Sequence, residues 1–269
     1  MTVDLELDGR RALLFAASKG LGRAAATELV REGARVAVAS RDPDNLADAR
    51  DHLVDAAGGD AGAVETLTCD LADPAAIEET VDAAVDAFGG LDVLVTNHGG
   101  PPVQSIEETD VETLDRTYER VLRSTVVALR AALPHLVEGD GGSVVNVVSA
   151  TAAEPLPGDV LQAAFRPGIY ALSKSLADEY GPEGVRVNCV CPRGIVTDRL
   201  EEKIRLLAER ENISVAAARE RRAAELPVGE LGDPPSFGRA VAFLASPAAG
   251  YITGETLALD GGWLGGMSP

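Results

Sequence analysis

The side chains that could do chemistry in this chain sit where apolar runs end. Ser18, Lys19, Gly20, Leu21 and Gly22 follow the apolar run Ala12–Ala17 and open a helical pattern. Glycine lets the backbone approach a phosphate closely, and a helix N-terminus favours negative charge. A lone Gly-x-Gly says little; between a strand and a helix it points to a dinucleotide site. Arg41 follows the second apolar run, Val36–Ala39. Its planar fork suits a phosphate, and Lys19 adds a second positive charge. Two solvated basic residues are the alternative. Ser149 ends the run Ser143–Val148, where its hydroxyl could hold a substrate oxygen or satisfy backbone groups. His98 has a ring that titrates in the working range, unless it only fills a strand end.

These residues need a scaffold that gathers strand ends. Strand and helix patterns alternate from Arg11 to Leu259, with strands at Val64–Cys69, Leu91–Thr96, Val185–Val190 and Thr256–Leu259 among them. Helical patterns cover Pro43–Ala57, Asp73–Phe88, Val111–Val137, Asp198–Glu225 and Pro235–Ala245. The order predicts an α/β fold: a single doubly wound Rossmann-type domain over 1–269, with a seven-stranded parallel sheet and helices on both faces. Ligands in such sheets bind beyond the strand C-terminal ends. Ser18, Arg41, Asp70, Asn97, Ser149 and Pro192 lie there.

The 269 residues are 46% hydrophobic, enough for a full core, and no apolar run approaches the roughly 20 residues of a membrane span. The N-terminus, MTVDLELDGR, carries no signal-peptide core, so a cytoplasmic location is expected. Cys69, Cys189 and Cys191 read as buried free thiols, with no cluster completing a metal site. The net charge of −19, with only Lys19, Lys174 and Lys203 as lysines, repels nucleic acid and anionic membranes. Scattered acidity with little lysine suggests a host with high internal salt; a solubility device is the alternative.

Several of these stretches together resemble the short-chain dehydrogenase/reductase family over almost the whole chain. They are Ser18-Lys19-Gly20-Leu21-Gly22, Asp70-Leu71, Asn97-His98-Gly99, Ser149, Arg186-Val187-Asn188, and Tyr251-Ile252-Thr253-Gly254 through Asp260-Gly261-Gly262. The resemblance implies a cofactor contact set of Ser18, Lys19, Gly20, Leu21, Gly22, Arg41, Asp70, Leu71, Asn97, Gly99, Ile195 and Thr197. It implies hydride transfer between NAD(P) and an alcohol or carbonyl, with Ser149 holding the substrate oxygen. Arg41 stands where an acidic residue would bind NAD ribose hydroxyls, so NADP(H) is expected over NAD(H). No metal is implied.

The family acid is a Tyr-x-x-x-Lys pair, and the chain contains Tyr170 and Lys174. Their register disagrees. At the family spacing of 13 residues after Ser149 stands Gln162, with Arg166 four residues on. Counting back from Arg186-Val187-Asn188 gives Gln162 again. Tyr170 lies eight residues later, about 12 Å along a helix axis and about 80° around it. It reads as a core or subunit-face residue. Val121 falls near the family's relay asparagine, Ala16 replaces the first glycine, and Arg193 replaces the glycine after Pro192. Pro167 should start a helix or kink one.

Ser149, Gln162 and Arg166 are thus the catalytic candidates, the last two as positional counterparts of the missing pair. Gln162 cannot transfer a proton, and Arg166 is a poor acid. The expected function is an NADP(H)-dependent oxidoreductase with an atypical or impaired proton donor. It resembles a divergent branch often labelled 3-oxoacyl carrier-protein reductase, with Gly-Gly-Pro after the fourth strand and Thr-Asp-Arg-Leu after the sixth. A non-catalytic dinucleotide-binding sensor or assembly partner is the alternative. Residues 193–233 correspond to the family's substrate-covering segment, where Arg193 and Arg199 could attract an acidic substrate. The resemblance also implies a homodimer or homotetramer, through long helices bearing Val126, Leu129 and Leu133 and a chain end at Trp263-Leu264.

Overall fold

The computed structural model describes residues 4–139 and 141–266. Its first unit is β1 (Arg11–Phe15), α1 (Gly20–Arg31), β2 (Arg35–Ser40), α2 (Pro43–Ala56) and β3 (Val64–Thr68). Then come α3 (Pro74–Phe88), β4 (Val93–Thr96), α4 (Val111–Tyr118), a π-helical stretch (Glu119–Arg123) and α5 (Ser124–Val137). The second half holds β5 (Ser143–Val147), α6 (Ala150–Ala153), α7 (Val160–Tyr180) and β6 (Arg186–Pro192). It closes with α8 (Asp198–Glu211), α9 (Val215–Ala224), α10 (Pro234–Ala245) and β7 (Thr256–Leu259).

All pairings are parallel, in the order β3-β2-β1-β4-β5-β6-β7. The chain winds outward from β1 to β3, then returns to the other side of β1 at β4. That reversal opens a crevice between β1 and β4 at their C-terminal ends. Strand residues alternate between two cores. Ala12 and Leu14 pack with α1, α2 and α10, whereas Leu13 and Phe15 pack with α3, α5 and α7. The seven-stranded sheet with helices on both faces is therefore present as expected.

Helix starts follow their capping residues. Asp42, Asp73, Asp110, Thr197, Ser214 and Asp233 each accept a backbone N–H of the following first turn. Helix α1 differs: Lys19 stands at its N-cap and makes no capping bond. Its first N–H groups stay available to a ligand.

Pro167 does not start α7; the helix runs from Val160 through it. One expectation about helices needs correction. The helical pattern from Asp198 to Glu225 divides at Asn212, whose φ of 52° closes α8 before α9 begins. The proposed assembly face also changes. Leu129 and Leu133 are buried in the core and only Val126 is exposed. Trp263 is half-buried beneath the Arg193 guanidinium, 3.8 Å from its ring centre.

Candidate active site

A cleft of about 450 Å³ opens where β1, β2, β3 and β4 end. Ser18, Lys19, Arg41, Asp70, Leu71 and Gly99 all line it. Ser18 is fixed by a hydroxyl–hydroxyl bond of 2.9 Å to Ser40. The turn is drawn tightly under α1. A Cβ on Gly22 would lie 2.6 Å from the Ala16 carbonyl, so glycine is required there. The same carbonyl accepts the Asn97 side-chain amide at 3.0 Å, which ties the β4 exit to the β1 exit. Ala16 itself adopts φ 49°, the left-handed conformation that glycine adopts without strain.

Thr197, the N-cap of α8, comes within 3.8 Å of the point where a Gly20 Cβ would stand, so the two approach across the cleft mouth. Leu21 packs against the apolar core. Ile195 lies elsewhere: its backbone bridges Gly232, and it borders a second cavity of about 350 Å³ with Arg193 and Asp260. The sequence reading missed Arg116 and Arg120, which add two cations to the cleft wall. Arg120 lies 3.6 Å from Asp70. Their signal was the spacing of four residues on a helix that follows the β4 loop.

The β5 exit is held by two side chains of α7. Arg166 donates through Nη1 to the Val148 carbonyl at 2.6 Å, and the Tyr170 hydroxyl donates to the Ser149 carbonyl at 2.7 Å. Ser149 Oγ lies 2.9 Å from the Thr151 hydroxyl and accepts the Thr151 N–H at 3.3 Å. Gln162 is buried, and its amide donates to the Asp159 carboxylate. Burial, then the nearby Arg199 charge, pushes the Arg166 pKa down to about 10, and its Nε has no partner. Val121 lies on the π-helical stretch and brings no polar side chain to the cleft.

Two expectations, those for Tyr170 and His98, change here. The Tyr170 hydroxyl reaches the backbone of Ser149, although its Cα lies farther along α7 than the expected catalytic register. That bond fixes the strand end, and burial pushes the phenol pKa up. Lys174 points outward: its side chain is 62% exposed and pairs with Asp178 at 2.6 Å. His98 does not titrate in the working range. Burial, then Arg166, pushes it down to about 3, and its Nε2 is buried without a partner.

A model of the enoyl-(acyl carrier protein) reductase family matches residues 15–264. The chain belongs to the short-chain dehydrogenase/reductase family. A 3-oxoacyl-(acyl-carrier-protein) reductase of Vibrio cholerae is 33% identical over 96% of this chain and 98% of its own. Among solved structures, L-sorbose reductase from Gluconobacter frateurii, complexed with NADPH and L-sorbose, superposes with a TM-score of 0.93. Its identity is 26%, covering 98% of this chain and 100% of that one. A short-chain oxidoreductase from Pseudomonas aeruginosa, described as containing an atypical catalytic center, superposes at 0.89. It is 30% identical over 97% of this chain and 99% of its own. In this short-chain dehydrogenase/reductase, then, Arg166 and Tyr170 reach the β5 exit, while Gln162 is engaged with Asp159. Among the described residues no cluster could hold a metal ion, and no helix is long and apolar enough to cross a membrane.

Proposed function

We propose that this short-chain dehydrogenase/reductase transfers a hydride between NADP(H) and a small carbonyl or alcohol, with Ser149 and Arg166 managing the reacting oxygen. The observation that carries this reading is Arg166. A nearly fully buried guanidinium is anchored beside Ser149, with one N–H group left unpaired.

The cleft fits a dinucleotide. The uncapped N-terminus of α1 offers backbone N–H groups to a diphosphate, and Gly22 lets the turn close beneath it. Lys19, Arg41, Arg116 and Arg120 line the same wall, in a chain of net charge −19. Such a cluster suits the extra phosphate of NADP(H). Bound there, the cofactor supplies or accepts the hydride.

The chain's own residues then act on oxygen. In the reducing direction the Ser149 hydroxyl donates to the substrate carbonyl. The Arg166 charge stabilises the alkoxide that develops, as fixed donors do in an oxyanion hole. Neither Gln162 nor neutral His98 delivers a proton, so it arrives from water. Residues 193–233 cover the substrate: Arg199 of α8 donates to the Gly100 and Pro101 carbonyls at 2.5 and 2.7 Å, and so latches α8 to the β4 loop. The exposed apolar stripe Val111, Leu114, Tyr118 and Val126 serves assembly into a dimer or tetramer.

Calorimetric titration with NADPH and NADH, followed by NADPH oxidation against a panel of ketones and aldehydes, tests this. NADPH is expected to bind about tenfold tighter or more, and Arg41→Ala to erase most of that margin. Binding without turnover of any carbonyl would favour the sensor reading.

A further inference from the structure

Two distant stretches of sequence meet in the fold: Gly99-Gly100-Pro101 after β4, and Thr197-Asp198-Arg199-Leu200 at the start of α8. The β4 loop has no regular structure from 97 to 105, so its backbone polar groups need partners elsewhere. Arg199 supplies two of them. Its Nη1 donates to the Gly100 carbonyl at 2.5 Å and its Nη2 to the Pro101 carbonyl at 2.7 Å. Among the described residues no other side chain from outside the loop bonds the backbone of 99–103. The guanidinium lies so close against Gly100 that a Cβ there would overlap its Cζ. Both Nη atoms are thereby spent, so Arg199 is not the anion receptor that the sequence suggested.

Gly99, Gly100, Pro101 and Pro102 form one lip of the cofactor cleft, and Lys19 of the glycine-rich turn lies on the other. Thr197, the N-cap of α8, approaches that turn at Gly20, within 3.8 Å of where a Cβ would stand. The first turn of α8 therefore spans the cleft mouth, touching the turn through Thr197 and holding the loop through Arg199. We propose that Arg199 is a positioning residue for the cofactor: its two bonds fasten α8 across the dinucleotide cleft, and breaking them lets the nucleotide leave. This rests on reading that cleft as the NADP(H) site. Arg199 is exposed, so the fastening opens without disturbing the core.

The rate of NADPH release tests it. NADPH-loaded protein is mixed with excess NADP+ in a stopped-flow instrument, and the loss of bound-NADPH fluorescence gives the rate. Arg199→Ala removes both bonds, and release should quicken about tenfold or more, the size of one hydrogen bond from a charged donor. Gly100→Ala should do nearly the same from the other side. Gly100 is not in the left-handed conformation, so alanine is tolerated there, and the added methyl pushes aside the flexible end of Arg199. Both changes undo one contact, so the double variant should release NADPH no faster than Arg199→Ala alone. Melting temperatures without nucleotide should stay within about 2 °C of wild type, as for an exposed side chain. Release within about twofold of wild type in both single variants, or effects that multiply in the double variant, would overturn the proposal while leaving NADP(H) binding intact. Faster release that appears only with a fall in melting temperature would also overturn it, as the mark of a general loss of structure. Wild-type protein that binds no NADPH would overturn both readings.

Discussion

At the residue scale, burial decides what the sequence could only suggest. His98 was legible as a histidine at a strand end, but its environment was not. With Arg166 and Arg199 nearby and water excluded, its folded-state pKa falls from 6.5 to about 3. The sign of the linkage follows. The unfolded chain binds this proton more readily, so the stability is full above about pH 6.5 and is lost as pH falls toward 3, at about 1.4 kcal/mol per pH unit. Denaturant midpoints should therefore drop between about pH 6.5 and 4, and His98→Gln should flatten that part of the curve. An unchanged acid slope in His98→Gln would show that the ring stays accessible to protons. The glycine-rich turn, Arg41 and Asp70 were legible because motif and position coincide there. Arg116 and Arg120 were not, because only the fold brings them to the cleft.

At the element scale, strands and helices were readable from periodicity and caps, and β7 falls at Thr256–Leu259 as read. Helix α7 shows where local rules stop. Pro167 removes one amide donor, yet packing carries the helix through it. Arg166 braces the strand end on one side of that proline and Tyr170 on the other. Sequence spacing alone placed Tyr170 eight residues too late, without showing that its hydroxyl reaches back to Ser149. Leu129 and Leu133 erred the other way: helical spacing showed an apolar stripe, and only the fold shows it facing inward. The split at Asn212 was hidden because asparagine tolerates the left-handed conformation without announcing it.

At the scale of the whole molecule, charge dominates. A net −19 spread over one domain repels itself at low ionic strength, while the cleft stays locally positive. Salt screens the first effect within about 10 Å at 0.1 M. The melting temperature, followed by calorimetry, should climb with KCl into the molar range. A flat curve would mean that the acidity serves solubility alone.

The central claim is that Arg166 beside Ser149, and not Lys174 beside Tyr170, supports hydride transfer. Single-turnover NADPH oxidation in Arg166→Met and Lys174→Ala tests it most directly, on whichever carbonyl the wild type reduces. Lys174 is exposed and paired with Asp178, so Lys174→Ala should stay within about threefold of wild type, the size of a surface ion pair. Arg166→Met keeps the side chain's bulk and should lose about 10²-fold, as expected when a fixed charge at a developing oxyanion is removed. A loss of about 10²-fold in Lys174→Ala, with Arg166→Met near wild type, would contradict the claim.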